Sequence, residues 1–139
     1  MELSDDIYSK ITELSEEGND LLDNEDYDKA INVFESALQL LPESQSEWEA
    51  YTWLKASICD AYFYSNRFNE CAEAAFDALN GPDAMENPFI HLRLGQALFE
   101  LGDTARAEPE LLKAYMLSGE DIFSEDSVKY KEFILSKLD

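Results

Sequence analysis

Two independent series of residues in this chain recur in the same register. Gly18, Cys59 and Gly95 stand 41 and then 36 residues apart, and so do Ala30, Cys71 and Ala107. Each first-series residue lies in one amphipathic pattern and each second-series residue in the next, with apolar residues at helical spacing throughout. Small residues repeating in step on successive helices mark places where paired helices approach closely, so the pattern points to stacked helix pairs.

The clearest unit is Gly18 to Pro42, GNDLLDNEDYDKAINVFESALQLLP. Ser4, Asp5 and Asp6 cap a first helix from about Asp5 to Asp23, and the polar corner Asn24-Glu25-Asp26 leads into a second from Tyr27 to Leu41, which Pro42 ends. Ser44 with Glu47, or Ser46 with Glu49, fits a capping box for a third helix reaching about Ser65. A fourth follows from Phe68 to Leu79, closed by Asn80-Gly81-Pro82. Asn87-Pro88 opens a fifth helix as cap and first-turn proline, ending at Leu101-Gly102. The sixth runs from Asp103 to Ser118, with Pro109 expected to bend or loosen its first turns. Ser124-Glu125-Asp126 caps a seventh, which ends at Leu138.

This layout, with Tyr27-x-x-Ala30, Phe34, Ala37 and the closing Pro42, and with Leu94-Gly95-Gln96-Ala97-Leu98 in the third unit, resembles the tetratricopeptide repeat (TPR) family. The resemblance covers roughly residues 8–119. It is weakest in the second unit, where Cys59 replaces the glycine and Asp83 stands near the place of the closing proline. It implies an all-α fold: one domain over 1–139, a right-handed TPR-like α-solenoid of three helix pairs (5–42, 44–80, 87–119) plus a C-terminal capping helix at 124–138. An antiparallel bundle without solenoid curvature is the alternative.

Composition narrows the function. Thirty-one acidic against ten basic residues give a net charge of −21, which disfavours nucleic acid and anionic membranes and favours a basic protein partner. The start, MELSDDIYSK, has neither a basic nor an apolar region of a signal peptide, so a cytoplasmic protein is expected, with Cys59 and Cys71 as buried reduced thiols. One histidine, His91, and two cysteines provide neither a triad with a plausible base nor a zinc ligand set. No calcium-loop or phosphate-loop motif occurs. We expect no enzyme, no cofactor and no metal.

Two binding surfaces are expected. The first is acidic: Glu16, Glu17, Asp20, Asp23, Glu25, Asp26 and Asp28, with no Lys or Arg among them before Lys29. The second follows from the resemblance, which puts the first helix of each pair on the concave face. There Asn19, Trp53, Asp60, Phe63, Phe89, Arg93, Gln96 and Phe99 would line a groove, unless the last helix covers its aromatics. A two-carboxylate clamp like that of TPR co-chaperones is disfavoured, because of its matching positions Ser15, Asn19, Ser57, Phe89 and Arg93 only Asn19 and Arg93 fit.

In type, a small acidic chain of this kind is similar to immunity proteins that neutralise bacterial toxins, often nucleases; a monomer when free is expected. The alternative is a small TPR secretion chaperone or adaptor holding an extended peptide in its concave groove.

Overall fold

A computed structural model describes residues 2–123 and 128–138. Seven α-helices occur among them: α1 (Asp5–Asp23), α2 (Tyr27–Gln39), α3 (Glu49–Tyr64), α4 (Phe68–Ala78), α5 (Pro88–Glu100), α6 (Thr104–Ser118) and α7 (Val128–Ser136). Short 3-10 turns precede α3 and α5 and follow α6. There is no strand among the described residues. Each helix packs chiefly against its predecessor and its successor, the arrangement of an all-α, TPR-like solenoid.

The register read from sequence is the register of packing. Phe34 lies against Gly18, where an added Cβ would come within 2.5 Å of the ring, and Leu111 lies against Gly95, where the same atom would meet the leucine Cγ at 2.6 Å. The equivalent pair in the middle unit is Cys59 and Ala75, both buried. Here the second helix carries alanine where the other units carry Phe34 and Leu111, which leaves room for the Cys59 side chain on the first helix. Cys59 also meets Cys71, Sγ to Sγ at 3.5 Å, and its thiol lies 3.4 Å from the Cys71 carbonyl oxygen. Both thiols are free.

The corners inside the three pairs are also copies of one another. Glu25, Asn66 and Gly102 occupy equivalent positions, all with left-handed φ, at 63°, 61° and 85°. The residue after each donates its N–H back to the first helix: Asp26 to the Leu21 carbonyl (2.8 Å), Arg67 to Tyr62 (2.9 Å) and Asp103 to Leu98 (2.9 Å). This is the six-to-one bond of a Schellman turn, which requires the left-handed residue before it.

Several boundaries depart from expectation. Helix α2 ends at Gln39 because Leu41 precedes a proline, which disfavours helical backbone there. Neither capping box forms: Ser44 and Trp48 precede the 3-10 turn and α3 without a side-chain cap. Helix α6 runs unbroken through Pro109. The proline removes one helical hydrogen bond, and the carbonyl it would have used belongs to Ala105; both residues lie on the exposed side of α6, where losing that bond costs less than in the core. The expected caps are present at Ser4, whose Oγ accepts from the Ile7 N–H (3.3 Å), and at Asn87, whose Oδ1 accepts from that of Phe89 (2.9 Å). The cap expected at Ser124, Glu125 and Asp126 lies outside the described residues.

Candidate partner-binding surfaces

The two offsets bring Thr12, Trp53 and Phe89 into one row across α1, α3 and α5, with Asn19, Asp60 and Gln96 in a second row and Leu22, Phe63 and Phe99 in a third. The first row is open. Phe89 is 64% and Trp53 39% exposed, far above what an isolated core would leave to solvent. Asn19 is exposed as well.

The other expected groove residues are engaged inside the protein. Arg93 is the reason. Its Nε donates to Asp60 Oδ1, one terminal nitrogen to Gln96 Oε1 and the other to the Tyr64 hydroxyl, each at 2.8 Å. The guanidinium also lies over the Phe63 ring, 4.4 Å from its centre. The planar fork of arginine suits it to several partners at once. Gln96 is wholly buried, and its Nε2 has no hydrogen-bond partner among the described residues. Phe99 sits beneath α7, edge-on to Tyr130 (5.4 Å) and Phe133 (5.1 Å). Lys129 of α7 reaches Glu100 Oε2 at 2.8 Å. This face is thus closed toward the C-terminal ends of α3 and α5 and open toward their starts.

At the open end the wall continues into a groove of about 750 Å³ between the start of α1 and the start of α3, lined by Tyr8, Trp48, Trp53 and Pro82. Trp48 is held in place by its indole N–H, which donates to the Pro42 carbonyl at 3.1 Å. Sequence reading missed this groove, because Trp48 looks like an ordinary core residue of α3 and Tyr8 lies forty residues away. The available signal was the pair of tryptophans flanking a helix start.

The acidic segment lies around the α1–α2 corner. Its carboxylates are largely exposed, but two have cationic neighbours: Asp26 lies 3.7 Å from Lys29, and Asp28 is bonded to Arg67 of the next pair's corner. His91 is buried, with Nδ1 2.7 Å from Glu110 Oε2 and Nε2 2.8 Å from the Met85 carbonyl oxygen. It ties α5 to α6 and to the turn before α5. Among the described residues no cluster of three or more His, Cys, Asp or Glu is placed to hold a metal ion, and no helix is long and apolar enough to cross a membrane.

An array of helix pairs with one repeated crossing, one repeated corner and an added terminal helix defines a TPR-type solenoid. Residues 90–121 match the tetratricopeptide repeat family model. That match spans the third helix pair, α5 and α6, and the rest of the chain shares the TPR-like fold. Its fold is similar to the crystal structure of the Yersinia enterocolitica type III secretion translocator chaperone SycD in an alternative dimer, with a TM-score of 0.73 and 17% identity over 99% of this chain and 97% of that one. No curated protein matches the sequence.

Proposed function

We propose that this chain is a protein-binding module that holds an extended segment of a partner against the open part of its concave face, as a secretion chaperone or adaptor would, and that it does no chemistry. The observation that carries this reading is the row in which Trp53 and Phe89 stand at equivalent positions of consecutive units, both exposed. Aromatic anchors of this kind are enriched where partners dock. The likeness in fold to a translocator chaperone along nearly the whole chain supports it. The toxin-neutralising alternative rests on net charge and gains nothing from the fold. The proposed compartment is the cytoplasm, which keeps thiols such as Cys59 and Cys71 reduced.

The test is selection of binders from a displayed library of random peptides, followed by titration against Trp53→Ala, Phe89→Ala, the double variant and Phe76→Ala on α4. Each groove variant should weaken binding by about tenfold or more. Phe76→Ala should leave it unchanged. Selected peptides that bind the double variant undiminished would sink the proposal.

A further inference from the structure

The groove between the starts of α1 and α3 carries two kinds of side chain. Tyr8, Trp48 and Trp53 form aromatic walls, and Glu2, Asp5, Glu47 and Glu49 stand around them. None of these four carboxylates has an ion-pair partner among the described residues, although Lys10, Lys55 and Arg93, on the same two helices and on α5, are each paired elsewhere. Tyr8 is 59% exposed, so an aromatic face is available to solvent beside unneutralised acids.

We infer that this groove accepts a lysine or arginine side chain from the extended segment of the bound partner. The chemistry is complementary on two counts. A cation over an aromatic face gains from the ring quadrupole, most strongly at tryptophan, and the attraction grows as water is displaced. Carboxylates within the same concavity supply charge-assisted acceptors for its N–H groups. A wholly apolar segment would leave four carboxylates partly desolvated with nothing to meet them, which costs free energy. The groove therefore selects a basic residue, while Phe89 on the next unit takes an apolar one. This inference rests on the groove-binding reading above and adds the chemistry of what the groove prefers. It also places the basic contact in the groove, not on the acidic α1–α2 corner.

Trp48 and Trp53 are the chain's two tryptophans, so an occupant of this groove reports directly in intrinsic fluorescence. The experiment titrates short end-blocked peptides with leucine at every third position and lysine, glutamine or glutamate at the others. It uses the native chain, the groove variant Glu2→Gln/Asp5→Asn/Glu47→Gln/Glu49→Gln, and a charge-matched variant Glu35→Gln/Glu70→Gln/Glu73→Gln/Glu132→Gln on α2, α4 and α7. Circular dichroism melts establish that each variant is folded. The lysine peptide should shift the emission and bind about tenfold tighter than the glutamine peptide. The groove variant should lose that margin, whereas the charge-matched variant should lose less than about twofold.

Equal loss in the two variants would reduce the effect to overall charge and overturn the inference. Equal binding of lysine and glutamine peptides, still weakened by Phe89→Ala, would overturn it while leaving the groove-binding reading standing. No fluorescence change with any peptide would remove both.

Discussion

Phe34 and Gly18 touch so closely that a single added methyl at position 18 would come 2.5 Å from the phenylalanine Cε1, and the ring, wholly buried, has nowhere to go. Gly18→Ala should therefore cost about 1–3 kcal/mol as overpacking. Phe34→Ala should cost about 3–5 kcal/mol as a cavity. The middle unit, with Cys59 opposite Ala75, shows that a small second-helix residue tolerates a Cβ on the first helix. Gly18→Ala/Phe34→Ala should thus be more stable than the summed single changes by at least about 1 kcal/mol in urea unfolding. Strict additivity would show that the two positions do not share one crossing.

Glu25 holds the left-handed position that Gly102 holds in the third unit. A side chain there is strained by about 1–2 kcal/mol, partly offset by the lower chain entropy of a non-glycine residue in the unfolded state. Glu25→Gly should raise stability by about 0.5–1 kcal/mol and Gly102→Ala should lower it by a similar amount. A lower denaturation midpoint for Glu25→Gly would contradict the equivalence of the two corners.

Arg93 joins α5 to α3 through Asp60 and Tyr64 and donates to the Oε1 of the buried Gln96. Arg93→Met should cost about 2–4 kcal/mol, since it leaves a carboxylate and a buried amide without their donor. Arg93→Lys should recover less than half, because an ammonium cannot span three partners in one plane. Measured losses below about 1 kcal/mol for both would show that the network contributes no net stability.

Hydrogen bonding to Cys71, and then burial, hold the Cys59 thiol well above its usual pKa. The folded chain therefore keeps a proton that the unfolded chain gives up near pH 8.5. This contribution is intact below that pH and is lost as the pH climbs from there toward the raised folded value. Tyr27, Tyr51 and Tyr62 are shifted upward too, chiefly by burial, but they start from 10.0 and leave the window between about 8.5 and 9.5 to thiols. Stability should fall with pH across that window, and more gently in Cys59→Ala. Identical slopes in the two proteins would contradict the assignment.

The fold was largely legible because close helix crossings demand small residues, and those demands repeat in step at Gly18, Cys59 and Gly95. The corners were half legible. Gly102 announces its backbone conformation, but Glu25 and Asn66 are placed there by the six-to-one hydrogen bond, which overrides residue preference. Pro109 looks like a helix breaker and is not one, since it falls on the exposed side of α6. In the binding surface, Trp53 and Phe89 follow from the register alone. The burial of Phe99 depends on where α7 docks and the closure of the second row on how Arg93 turns, and neither is encoded locally. The groove joins residues of α1 and α3 with Pro82 of a later corner, so no single stretch of sequence announces it.

Partner binding on the open face is tested most directly by hydrogen–deuterium exchange of the chain alone and with a peptide selected for binding. New protection is expected at the starts of α1, α3 and α5, around Tyr8, Trp53 and Phe89, with exchange in α2 and α4 unchanged. Protection confined to the acidic corner between Glu16 and Asp28, with the starts of α3 and α5 exchanging as before, would contradict it.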